Sequence, residues 1–308
     1  MAPASASPTT GPISSSTGRP TTSLVGEHMR IVDAHHHLWD RDLHPYPWLA
    51  KPVRSPAIGD TTPLCRNYLL ADFRADAKGL ELVKSVHLQA EIAPELAVLE
   101  TRWLQAIADA PGSGGFPHGI VAFADLAAPD VDKVLEAHGA FANMRGIRQI
   151  LNRHENPALN AASADYLNDP AWQQGYARLA KHGYSFDLQL YWPQMAAATA
   201  LAKRHPDIPV ILNHTGMPRE RDPDGIEGWR QGLRQLARCP NVTAKISGLG
   251  MVDHHWTEAT IRPFVLDTID IFGPDRCLFA SNFPVDRLYS DYATVWRAYD
   301  GITKDFSA

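Results

Sequence analysis

Three consecutive histidines, His35, His36 and His37, follow the short apolar run Ile31-Val32-Asp33-Ala34. Side chains alternate across an extended strand, so His35 and His37 share one face and His36 takes the other. Two imidazoles on one face at a strand's end can offer neutral nitrogens to a single divalent cation, or act directly on a bound molecule as hydrogen-bonding groups. The rival reading bonds both rings to neighbouring backbone carbonyls; for His36, packing outside against a helix is the expectation. Comparable polar residues close or follow later apolar runs: His87, Gln89 and Glu91, then Arg148, then Asp187 and Gln189, then His214, Lys245 and Asn282. Polar groups beside packed apolar segments need partners or a task. Their recurrence suggests that they face one common site.

The elements that must bring them together are short. Apolar runs occur at 31–35, 83–90, 119–126, 146–151, 184–191, 208–214, 241–249 and 276–282, and stretches with helical spacing separate them, as at 95–104, 172–179 and 195–205. Eight strands alternating with helices imply parallel pairing through crossovers. The economical closed solution is a (β/α)8 TIM barrel forming a single domain over 29–308, with catalytic groups at the C-terminal strand ends. An open doubly wound sheet is the alternative, but no G-x-G-x-x-G follows an early strand to support a dinucleotide site.

Composition narrows the partners. In 308 residues with 44% hydrophobic and 20% charged content and a formal net charge of -5, no dense Lys/Arg run marks a nucleic-acid or anionic-membrane surface. No apolar run reaches the length of a spanning helix. Cys65, Cys239 and Cys277 are odd in number and lack C-x-x-C spacing, which argues against a disulfide framework or structural zinc. A cytoplasmic protein with a small-molecule substrate is expected, and assembly into a homo-oligomer is left open. Residues 1–28 are dominated by Ser, Thr, Pro, Ala and Gly and read as a disordered, low-complexity tail.

The motifs DAHHHLWD, YPWL, VHLQAE, RGIRQ, FDLQ, NHTGMP, KISGLG and FGPDRCLFASNFP, in that order from Ile31 almost to the end, resemble the amidohydrolase superfamily, closest to its amidohydrolase-related branch that includes sugar-acid and other lactonases. The resemblance implies a TIM-barrel hydrolase, with His35, His37 and His214 matching metal-binding or carbonyl-polarising histidines. A zinc or manganese ion is the implied cofactor, and a metal-independent mechanism is the alternative. One position departs from the pattern: Asn282 stands where an aspartate is usual, and an amide has no useful basicity. Glu91, Asp286 or Asp187 could supply the missing carboxylate. The plainer readings are an Asp286–Arg287 salt bridge, a capping role near Glu91, and a structural Asp187.

Arg148 has the planar fork that grips a carboxylate, with a rim ion pair as the competing role. His87 is a further substrate-binding candidate, and Trp48, in the aromatic segment 44–49, could belong to a lid. His138, His154, His182, His205, His254 and His255 are expected at the surface, with 254–255 on the catalytic side. The expected reaction is opening of a small lactone or cyclic ester by activated water. A metal-dependent decarboxylase or C–C cleaving enzyme, and a ligand-binding barrel without catalysis, are the other readings.

Overall fold

A computed structural model describes residues 29–306, so the tail expected over 1–28 lies outside the described residues. Each of the eight apolar runs overlaps a strand: β1 (Arg30–His36), β2 (Glu81–Leu88), β3 (Gly119–Ala122), β4 (Met144–Ile150), β5 (Ser185–Gln189), β6 (Val210–Leu212), β7 (Val242–Ile246) and β8 (Cys277–Phe279). They pair in parallel, in chain order, within one sheet. Beyond β8 the sheet returns to its start: the His37 amide donates to Phe283 O at 2.7 Å and the Asn282 amide to His35 O at 2.8 Å. The result is the expected (β/α)8 TIM barrel. A two-stranded hairpin, Arg54–Ser55 with Gly59–Asp60, interrupts the loop after β1.

Local chemistry sets the helix starts. Asp169 caps helix α4 (Pro170–Ala177) and Asp222 caps α7 (Pro223–Ala237), each followed by a proline whose missing N–H costs nothing in the first turn. Thr257 caps α8 (Glu258–Phe272) and Asp291 caps α9 (Tyr292–Thr303). None of these helices is long and apolar enough to cross a membrane.

Two histidines show how the wall is built. His36 points outward and stacks on Phe73 of α1 (Leu70–Asp76), rings 4.1 Å apart and nearly parallel. His138, expected at the surface, is buried; it pairs with Thr101 Oγ1 at 3.0 Å and donates from Nε2 to Phe123 O at 2.9 Å, tying α3 (Val131–His138) to α2 (Ala97–Asp109) and the β3 loop. It was expected at the surface because its partners, Thr101 and Phe123, lie far away in sequence.

The strongest tie across the closure is Asp33. One carboxylate oxygen accepts the Ser281 amide at 3.0 Å and the His35 amide at 3.2 Å; the other accepts Ser281 Oγ at 2.6 Å and Tyr292 Oη at 3.0 Å. The group is fully buried, and burial raises its pKa against these hydrogen bonds, which lower it. Replacing Asp33 by Ala strands four donors at once, so we expect a loss on the order of 3 kcal/mol in urea denaturation, with Asp33→Asn losing less.

Candidate active site

Three of the strand-end residues adopt left-handed backbone: Glu91 (φ 58°) beyond β2, His214 (φ 55°) beyond β6 and Asn282 (φ 58°) beyond β8. Asn tolerates this region, whereas for Glu and His it costs on the order of 1 kcal/mol or more. At each position the chain turns sharply off its strand, and all three side chains line one cavity of about 300 Å³ at the C-terminal end of the barrel. His37, Arg148, Gln189 and Trp48 share that wall.

The histidines form a connected set. His37 Nδ1 lies 2.8 Å from Leu88 O, and since a carbonyl only accepts, this nitrogen carries the proton. In the neutral ring Nε2 then bears the lone pair, which accepts from His35 Nε2 at 3.3 Å. His214 sits against His35 with ring centroids 4.6 Å apart and bonds through Nδ1 to Ser247 Oγ at 2.9 Å. Burial first, and then neighbouring positive or protonatable groups, hold all three rings well below the ordinary imidazole range, so they are neutral near pH 7. For His37 and His214 the leading charged neighbour is Arg148.

Arg148 is buried, and its guanidinium meets only neutral acceptors: Gln189 Oε1 at 3.1 Å and the Gln89 carbonyl at 2.7 Å. Its Nε has no partner, and among the described residues no carboxylate lies within salt-bridge distance of it. A buried cation beside a cavity, without a counter-ion in contact, favours an anion or a developing oxyanion there.

Three carboxylates, Glu91, Asp286 and Asp187, could supply an acid beside the amide of Asn282, and they occupy different places. Glu91 is the one Asp or Glu among the described residues that lines the cavity. It accepts from the Gln89 side-chain amide, and its own backbone N–H donates to Gln89 Oε1 at 2.7 Å. Asp286 is buried behind Asn282, whose Nδ2 donates to it at 3.0 Å. Burial pushes its carboxyl up to about 7, opposed by that hydrogen bond. Arg287 pairs with Asp76 instead. Asp187 is off the wall, inside the barrel, accepting from Lys245 Nζ at 2.5 Å and Asn213 Nδ2 at 2.8 Å. His87 is also off it, with Nε2 bonded to Leu38 O at 3.2 Å.

These donors do not complete a site for zinc or manganese. Among the described residues no group of three or more His, Cys, Asp or Glu side chains is arranged to hold a metal ion. Lending His35 Nε2 to a cation would move its proton to Nδ1, which is buried with no acceptor, whereas ligating histidines usually anchor that N–H. Asn282 supplies no charge, and Lys245 and Arg148 raise the positive potential around His35.

Sequence reasoning passed over Tyr191, Leu159, Met217, Met251 and the hairpin residue Ile58, all on the cavity wall. Met217 lies within the NHTGMP motif and Met251 directly follows KISGLG, which was the available signal; the hairpin's two-residue arms carry no periodicity.

Both ring nitrogens of His36 are buried without partners, so His36→Leu, of similar volume, is expected to stay within about 1 kcal/mol of the parent in urea denaturation. Asp286 titrates near 7 folded but near 4 unfolded, so its stabilising contribution is full below about pH 4 and is lost as pH rises through about 7. The stability of the parent relative to Asp286→Asn should therefore fall steadily over that window; a pH-independent difference would contradict it.

The family model described as Amidohydrolase matches residues 32–305. Among curated relatives, an uncharacterized protein, y4mH, from Sinorhizobium fredii is 48% identical over 90% of this chain and 92% of its own length. An L-fucono-1,5-lactonase from Burkholderia multivorans is 27% identical over 86% of this chain and 85% of its own. A crystal structure of a Burkholderia multivorans amidohydrolase with bound zinc superimposes with a TM-score of 0.74 at 24% identity, covering 90% of this chain and 92% of that one, a likeness of fold. With the family model spanning nearly all of the described barrel, this chain belongs to the amidohydrolase family.

Proposed function

We propose that this chain is a hydrolase that opens a small lactone or related cyclic ester by attack of an activated water. The observation that carries the reading is Glu91, the cavity's one lining carboxylate among the described residues, facing a site with neutral imidazoles and an Arg148 that lacks an ion-pair partner. The curated lactonase relative is consistent with it.

In this reading Glu91 takes a proton from water as the water oxygen bonds to the ester carbonyl carbon. The carbonyl oxygen becomes an oxyanion, stabilised by Arg148 and by the Nε2–H of a His214 whose Nδ1 accepts from Ser247 Oγ. Collapse breaks the ring C–O bond, and the proton on Glu91 passes to the departing alkoxide to leave a hydroxy acid. Asn282 orients the water through its amide oxygen, because its Nδ2 is engaged by Asp286. Asp286 is a positioning residue here. No step is routed through a metal; metal dependence is measurable, and dialysis against chelator with elemental mass spectrometry is expected to leave activity intact. The partner is a small molecule, and a cytoplasmic setting is consistent with three unpaired cysteines.

On a panel of five- and six-membered lactones followed with a pH indicator, the parent should turn over at least one ring class. Glu91→Gln should lower kcat by roughly 100-fold or more, the usual weight of a general base. Asp286→Asn should lose about tenfold, as a group acting through Asn282. Carbon dioxide release from aromatic acids without lactone hydrolysis would replace this reading with a decarboxylase. Activity gained only on Asn282→Asp would mark the parent as a barrel that has lost its chemistry.

A further inference from the structure

The cavity has two chemically different ends. Around Arg148 it is polar. Toward the mouth its wall is a second apolar cluster, separate from the barrel core: Leu159, Tyr191, Met217, Met251 and Val285, all lining the cavity, with Trp48 and Ile58 packed against them.

Most residues there that carry polar atoms have turned them away or already engaged them; Asn152 Oδ1 is the buried acceptor left without a partner. Trp48 donates its indole N–H to Ala90 O at 2.8 Å, and Tyr191 its hydroxyl to Leu159 O at 3.2 Å, so both give the cavity ring surface. Asn152 Nδ2 is spent on the Met217 sulfur at 3.3 Å, Asn160 Oδ1 accepts the His154 amide at 2.6 Å, and Ser55 Oγ accepts the amides of Ala57 and Ile58 at 3.2 and 3.3 Å. The hairpin roof is fastened through its backbone. Tyr289 donates to Ile58 O, His254 stacks on Tyr289 at 4.6 Å, and Arg219 donates to Ala57 O at 3.1 Å. The Ile58 side chain is left on the wall.

We propose that the substrate carries an apolar, alkyl- or aryl-type substituent on its ring, seated in this outer chamber, in place of the hydroxyl groups of a sugar lactone. This rests on the lactone-opening reading above. With the carbonyl at Arg148, a substituent pointing outward meets thioethers, aliphatic side chains and ring faces. An alkyl chain gains burial there. A row of hydroxyls would give up water for few matching partners, Asn152 Oδ1 among them, and each buried unpaired hydroxyl is costly.

The test compares kcat/KM for a pentyl-substituted δ-lactone and for glucono-1,5-lactone, corrected for spontaneous hydrolysis. The expected preference for the pentyl compound is about tenfold or more, and Leu159→Asn should shrink that ratio by about fivefold or more. Met217→Gln serves as a second variant should Leu159→Asn fold poorly. A sugar lactone used equally well or better, or a ratio unmoved in the folded variants, overturns the proposal while leaving the lactonase reading intact. Calorimetric binding of the two corresponding lactams separates the opposite case. Tighter binding of the pentyl lactam without turnover of any lactone would sink the reaction and keep the chamber; equal lactam binding would sink the chamber.

Discussion

A buried carboxylate, Asp33, joins residues 248 positions apart, and the site exists because of that join. By accepting from the Ser281 amide and hydroxyl, it brings the segment after the last strand against the first. The two backbone bonds that complete the barrel, His37 to Phe283 and Asn282 to His35, follow on either side. They place Asn282, with Asp286 behind it, next to the histidine pair. An open sheet of the same eight strands would leave those groups at opposite edges, and the cavity would have no floor. Tyr292 of α9 bonds the same carboxylate, so the last helix is tied to the closure too.

Charge at the site follows from burial. The imidazoles lie among Arg148 and Lys245 with little water, so protonating any of them would add a cation to an already positive region. Lys245 is neutralised by Asp187 in direct contact, whereas Arg148 has only neutral acceptors. The field at the cavity floor therefore favours negative charge, and this polarity suits an oxyanion better than a bound cation. Asn282 acts in the same direction, since its amide supplies no anion, and Glu91, beyond β2, is the lining carboxylate among the described residues.

Much of the frame was legible before any coordinates. Alternating short apolar runs and helical spacings specify a βα repeat because each signal depends on a few neighbouring residues. Side-chain alternation alone separated His36, stacked on Phe73, from His35 and His37 on the inner side. His138 was misplaced because its burial comes from Thr101 and the Phe123 carbonyl, contacts that no local pattern encodes.

By itself, the sequence determined the repeat, the placement of polar residues at the strand ends and the presence of an amide at 282, since these are matters of local identity and period. Tertiary structure alone decided which carboxylate reaches the cavity. Glu91, Asp187 and Asp286 are equivalent as letters, but strand geometry turns the first into the cavity, pairs the second with Lys245 inside the barrel and places the third behind Asn282. It also decided the character of the outer chamber, because Leu159, Tyr191, Met217, Met251 and Val285 come from separate loops that meet only when the barrel is closed.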